Sequence, residues 1–149
     1  IECWHNPING RFFCRPPGTG YNGGIGRELA EFHMSTFEEN IANVRALLDL
    51  ILPRFPNKKV VFSVSPVALD ATHTSEDIIT ANTYSKAVLR AVAGQIMNEY
   101  KSTGRVFYMP SFEISQRIDV FGEDGRHVTE QAAQFITSVF AQMFLDNGA

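Results

Sequence analysis

The sequence predicts an α/β protein organised on a parallel β-sheet. Two short, almost wholly apolar and β-prone runs, Val60-Val61-Phe62-Ser63-Val64 and Val106-Phe107-Tyr108-Met109, read as strands covered on both faces. Segments of helical periodicity lie before, between and after them. The order helix, strand, helix, strand, helix calls for parallel strands joined by right-handed crossovers.

The elements follow from local chemistry. Residues 6–27 are rich in Gly, Pro and Asn and read as a long surface loop, with a short strand at Arg11-Phe12-Phe13. Ser35-Thr36-Phe37-Glu38 has the capping-box pattern, a hydroxyl followed three residues later by Glu. The stripe Phe37, Ile41, Val44, Leu48, Ile51 follows at helical spacing, and Pro53 and Pro56 are expected to stop that helix. The first buried strand ends at Ser65-Pro66, and a polar stretch from Asp70 to Thr80 reads as a loop. A helix is expected over roughly Asn82 to Lys101, with Val88, Leu89, Val92, Ile96 and Tyr100 on its apolar side and Gly104 closing it. The second strand ends at Pro110. Thr129 can cap a last helix whose stripe is Ala132, Ile136, Val139, Phe140 and Met143, with Gly148 beyond its end.

Bulk properties narrow the function classes. A chain of 149 residues fits one domain with a substantial core. A net charge of −3 without a Lys/Arg run argues against nucleic acid as the main partner. No apolar run approaches membrane-spanning length. Cys3 and Cys14 are too few for a disulfide framework; one bridge, or two free thiols in a reducing compartment, both remain open. A cytoplasmic setting is the expectation. Gly18-Thr19-Gly20-Tyr21-Asn22-Gly23 matches a nucleotide-loop pattern but follows Arg15-Pro16-Pro17 rather than a buried strand. Cys3, His5, Cys14 and His33 match no compact zinc spacing. Neither a metal nor a cofactor is therefore expected.

The chemistry-bearing segment is Asp124-Gly125-Arg126-His127, just ahead of the last helix. A loop entering a helix can hold such a pair at the rim of a sheet, the Asp orienting the ring and the ring serving as general base. Sites in parallel α/β sheets lie beyond the carboxyl ends of the strands, here the loops beginning at Ser65 and Pro110. Ser65 precedes Pro66, which favours extended backbone over an activating strand-to-helix turn. Its hydroxyl is better suited to satisfying backbone groups near the site. Ser85-Lys86 is no dyad, because adjacent helical residues point apart; helix-surface polarity or a loop clamp accounts for it better. Glu113 follows the second strand and either lines the pocket or is a solvated or ion-paired carboxylate.

These segments together resemble a known family. Val61-Phe62-Ser63-Val64-Ser65-Pro66-Val67, then Asn82, then Ser85-Lys86-Ala87-Val88-Leu89, are similar to the "TVSPV … N..SK..L" signature of GSCFA-domain proteins. Tyr108-Met109-Pro110-Ser111-Phe112-Glu113-Ile114 resembles that family's "YFPSYEI", and Glu123-Asp124-Gly125-Arg126-His127 its terminal "ED..H". Glu2 and Trp4 match the "LGLTEVW" strand that precedes the long loop. GSCFA domains resemble SGNH (GDSL-like) hydrolases. The resemblance thus implies a three-layer, flavodoxin-like α/β/α sandwich that hydrolyses or transfers acyl esters, glycan esters among them. It implies His127 as general base and Asp124 as its orienting partner; Glu2, Ser65 and Glu113 are expected on the substrate side, the latter two from their places at the strand ends.

The same resemblance implies what to look for upstream. The nucleophile of such enzymes sits in a Gly-Ser motif after the first strand, and no such segment precedes Ile1 in this sequence. The chain is therefore expected to be the C-terminal part of the domain, lacking its first strands. Glu2 stands near where those enzymes place an oxyanion-binding Asn, and an ionised Glu accepts hydrogen bonds without donating one. A non-catalytic binding or assembly module that keeps the fold is the competing expectation. Exposed sheet edges would then call for a missing segment, a partner or self-association.

Overall fold

The computed structural model of the protein describes residues 1–13, 30–125 and 127–145. Its elements in order are β1 (Glu2–His5), β2 (Phe12–Phe13), β3 (Glu31–Met34), α1 (Phe37–Arg54), β4 (Val60–Ser63), α2 (Ile78–Tyr100), β5 (Val106–Met109), α3 (Ser111–Ser115) and α4 (Glu130–Phe144). β4 and β5 form the expected parallel ladder, with Val60 opposite Val106 and Ser63 opposite Met109. The N-terminal strands form a separate antiparallel sheet in the order β2-β1-β3, so parallel pairing does not extend to every described strand. Strand β3 has no equivalent in the sequence-based expectation; Glu-Phe-His-Met is too short and mixed to show a period on its own. Its pairing with β1, Cys3 opposite His33 and Trp4 opposite Phe32, is what makes it a strand.

Helix α1 begins one residue later than the sequence suggested. Thr36, not Ser35, is the N-cap: its Oγ1 accepts the Glu39 N–H at 3.2 Å, while Glu39 Oε2 accepts the Thr36 N–H at 2.8 Å. Ser35 is occupied elsewhere, its Oγ and N–H both donating to the Ile1 carbonyl where β1 meets β3. The capping carboxylate of Glu39 is held below its usual range, first by the Thr36 N–H and also by His33. Pro53 does not end the helix but sits inside its last turn, and the chain leaves at Phe55. Arg105, just ahead of β5, secures that end by donating to the Leu52, Phe55 and Lys58 carbonyls.

Helix α2 starts four residues before the expected Asn82. Asp77 caps it by accepting the Ile79 and Thr80 N–H groups, both at 3.0 Å. Its first turn, Ile78-Ile79-Thr80, lies within the stretch that reads as loop because Ile79 points to solvent and adds nothing to an apolar stripe. A short 3₁₀ turn, Lys101–Thr103, then ends at Gly104, whose φ of +62° closes the helix as expected.

The core lies between α1, α2 and the β4–β5 ladder. Ile41, Leu48 and Leu52 of α1 meet Val88, Val92 and Ile96 of α2 and Val106 of β5, with Val60 and Phe62 packed alongside. Leu48 and Ile96 are 0% and 1% exposed, and each such side chain contributes about 1.5–3 kcal/mol by leaving water. Alternation along β5 turns Phe107 the other way, where its ring meets Phe144 of α4 at 5.9 Å. Thr129 caps α4 through the Ala132 N–H, as its sequence indicates. The loop-like character of residues 6–27, Cys14 and any bridge to it, the glycine-rich match at 18–23, and Gly148 lie outside the described residues, apart from β2 and the turn leading to it. No helix among the described residues is long and apolar enough to cross a membrane.

Candidate active site

The loop between α3 and α4 is a small hairpin. Phe121 and Val128 form an isolated antiparallel bridge, the Gly122 N–H donates to the His127 carbonyl at 2.9 Å, and the Thr129 N–H donates to the Val120 carbonyl at 2.8 Å. Val120 anchors it, fully buried. At the tip the Gly125 N–H closes a turn on the Gly122 carbonyl at 2.9 Å, with Gly125 at φ +63°. Asp124 therefore projects from the turn and His127 from the returning arm, close enough to pair.

The Asp124 carboxylate holds the histidine at two points. Oδ2 lies 2.5 Å from His127 Nδ1, and Oδ1 accepts the His127 backbone N–H at 2.9 Å. An ionised Asp can only accept, so the ring carries its proton on Nδ1 and leaves Nε2 as the basic nitrogen. Both side chains are exposed, 65% for His127 and 51% for Asp124. Among the described residues no serine hydroxyl bonds to the ring.

Beside this loop, beyond the carboxyl end of β4, is a cleft of about 440 Å³. Pro66 and Ala68 from the loop after β4, Asn82, Lys86 and Arg90 from α2, and Phe121 and Gly125 from the hairpin contribute to its walls. The tip of the D-G-R-H segment and the loop beginning at Ser65 thus meet in one place. Lys86 clamps the latter loop from α2, Nζ donating at 2.7 Å to each of the Ser65 and Val67 carbonyls. One turn earlier Asn82 Oδ1 accepts the Leu69 N–H at 3.1 Å. The loop-clamp account of Lys86 is the one the geometry supports. Burial lowers the Lys86 ammonium below its ordinary pKa.

The remaining sequence-predicted residues have defined partners. Ser65 Oγ accepts the Val67 N–H at 3.2 Å, the satisfying role expected of a hydroxyl at a strand end. Glu113, on α3, is ion-paired: Arg90 Nε donates to Oε1 and Tyr108 Oη donates to Oε2 at 2.8 Å. Arg90 also lies over the Tyr108 ring, 4.6 Å from its centre. Burial opposes the Glu113 charge, but the Tyr108 and Arg90 hydrogen bonds hold its carboxyl below the usual range. Burial, then the bond to Glu113, pushes the Tyr108 phenol up to about 12.

Glu2 is engaged through both carboxylate oxygens, with the Thr72 hydroxyl at 2.5 Å and the His73 N–H at 2.9 Å. It thereby ties β1 to the loop ahead of α2, and the His73 ring packs edge-on to Trp4 at 5.1 Å. Of the residues considered for a metal, Cys3 donates its thiol to the His33 carbonyl at 3.4 Å and His33 Nε2 lies 3.0 Å from Glu39. Among the described residues no group of three or more His, Cys, Asp or Glu is gathered as a metal would need. Arg90 was not legible as a site residue, although its place four positions after Lys86 puts both cations on one face of α2.

A β-α-β unit with a helix-entry Asp/His loop beside the strand ends belongs to the α/β class, and the fold has a solved counterpart. It is similar to the esterase domain of the ORF1 protein of the zebrafish ZfL2-1 retrotransposon, with a TM-score of 0.50 at 14% identity over 74% of this chain. The matched region spans 60% of that structure's length. The sequence profile of the GSCFA family matches residues 3–140, and the chain belongs to that family. A comparison with curated proteins found no match.

Proposed function

We propose that this chain is part of an SGNH-like serine esterase or acyltransferase with a three-layer, flavodoxin-like α/β/α architecture. Its substrate is an acyl ester, including esters of glycans, and its nucleophilic serine lies upstream of Ile1. The observation that carries the reading is the double hold of Asp124 on His127 in a loop whose Gly125 lines a cleft beside the strand ends.

In this mechanism the serine Oγ attacks the acyl carbonyl and its proton passes to His127 Nε2. Asp124 keeps the ring in the required tautomer and stabilises the imidazolium. Collapse of the tetrahedral intermediate breaks the ester C–O bond, and Nε2 returns the proton to the leaving alkoxide. Water then repeats the cycle to release the acid; an acceptor hydroxyl in its place completes acyl transfer. Ser65 and Glu2 serve the substrate side by fixing the loop after β4, and Glu113 does so by holding Arg90 in the cleft wall.

A second reading, a binding or assembly module retaining the fold, rests on Glu2. Its two oxygens accept bonds from Thr72 and His73, and no donor for an oxyanion comes from that side chain. The two readings part on one experiment. The protein extended upstream of Ile1 is assayed for acyl-ester cleavage with and without His127→Ala, alongside labelling by a serine-directed fluorophosphonate. A loss of about 10²–10⁴-fold in kcat/KM supports the enzyme. Equal activity in both proteins, or no labelled serine, favours the module.

The chain also has reason to associate. Among the described residues β4 and β5 pair only with each other, so each presents one open edge to a further strand. We propose that an upstream segment or a second copy occupies such an edge. A stable, monodisperse monomer of residues 1–149 in sedimentation would overturn this.

A further inference from the structure

The cleft beside the Asp124–His127 pair has two cations on one face of α2, and their surroundings differ. Arg90 is matched by a carboxylate, Glu113. Lys86 is not: its partners are the Ser65 and Val67 carbonyl oxygens, and no ion pair among the described residues includes it. Two carbonyl bonds use two of the three N–H donors of an ammonium and supply no opposite charge. The third donor and the full charge remain on a half-buried residue that lines the cleft. Burying a charge with dipoles alone is costly, and an anion entering the cleft supplies both the missing acceptor and the missing charge. The carbonyl clamp also fixes the ammonium in position, so little side-chain freedom is lost on binding.

We propose that Lys86 is a specificity-determining residue that binds an anionic group on the substrate, so that the cleft prefers acyl esters carrying a negative charge near the ester. This rests on the esterase reading above and narrows its substrate class. Asn82 and the cation of Arg90 border the same space, but the side-chain oxygen of Asn82 is engaged by Leu69 and Arg90 is neutralised. Lys86 is thus the group that discriminates a carboxylate from a carboxamide of the same shape.

The test uses two esters that differ only in charge, 2-acetoxyacetate and 2-acetoxyacetamide, with the protein extended upstream of Ile1. The expected result is a kcat/KM at least about tenfold higher for the anion at low salt, shrinking as ionic strength rises. Lys86→Met abolishes the preference, whereas Lys86→Arg retains part of it. Equal kcat/KM for the two esters, or an undiminished preference in a folded Lys86→Met protein, overturns the inference and leaves the esterase reading standing. Binding is followed separately by the Lys86 ¹³Cε resonance during titration with glycolate, which contains no ester. A saturable, salt-sensitive shift supports anion binding even if neither ester is cleaved, and that outcome would count against catalysis alone. No shift overturns the anion site.

Discussion

Asp124 and His127 are joined twice over: Oδ2 lies 2.5 Å from Nδ1, and Oδ1 accepts the histidine's own backbone N–H at 2.9 Å. The second bond restrains the loop while the first restrains the ring. A single carboxylate therefore sets both the position and the tautomer of the base. Asp124→Asn keeps the size and one acceptor but presents an amide to Nδ1, favouring the wrong tautomer. The expected outcome in the active, upstream-extended protein is a fall in kcat/KM of about 10²-fold or more. Because both side chains are exposed, the melting transition should move by less than about 0.5 kcal/mol equivalent.

Gly125 separates the two residues at φ +63°, and a Cβ added there would meet nothing within 4 Å. Gly104 has the same conformation and the same open space at the end of α2. Alanine at either position is thus opposed by backbone conformation alone, at a cost of about 1–2 kcal/mol. Chemical denaturation should register a similar loss for Gly125→Ala and Gly104→Ala. Activity should respond to the first and not to the second, because Gly125 alone sets the turn that aims Asp124.

The clamp on the loop after β4 predicts a local effect. Asn82→Ala removes the acceptor of the Leu69 N–H without disturbing the Lys86 bonds to Ser65 and Val67. Amide hydrogen exchange at Leu69 should accelerate, with a stability loss of about 1 kcal/mol. Unchanged protection at Leu69 would show that the clamp does not depend on Asn82.

Two groups, Glu99 and Tyr108, carry large pKa displacements with opposite pH consequences. Glu99 receives a two-point hydrogen bond from Arg45, Nη2 at 2.5 Å and Nε at 2.9 Å, linking α2 to α1. Arg45 first, then Gln95, holds its carboxyl at about 2 against an ordinary 4.5. With the folded value depressed, its contribution is present above 4.5 and is lost as pH falls towards 2. Glu99→Gln should flatten the acid limb of stability over that interval. Tyr108 is raised from 10.0 to about 12, so its contribution is complete below 10 and disappears as pH rises through 12. Tyr108→Phe should remove the corresponding step in an ultraviolet titration and in alkaline melts.

Much of the architecture was legible because local chemistry decides it. The apolar runs at 60–64 and 106–109 pair as parallel strands, the stripes on α1 and α2 supply the core, and Thr129 caps α4. Two of the misreadings share one origin, in that a neighbour distant in sequence reassigned a local group. Ser35 was recruited by Ile1, so the cap passed to Thr36. Residues 31–34 became a strand because β1 lies beside them. A third is local: Ile79 entered a helix started by the Asp77 cap although its side chain remains in solvent.

The candidate site divides along the same line. Sequence spacing alone determined that Asp124 and His127 share a short loop before a helix, and that Ser65 and Glu113 follow the two strands. Only the tertiary structure decided that Gly125 borders the same cleft as Lys86 and that Glu113 is matched by Arg90 and Tyr108. It also left Lys86 with carbonyls and no carboxylate. The reason is physical: propensity and capping act within a few residues, whereas charge balance and burial depend on every group within several ångströms, whatever its place in the chain.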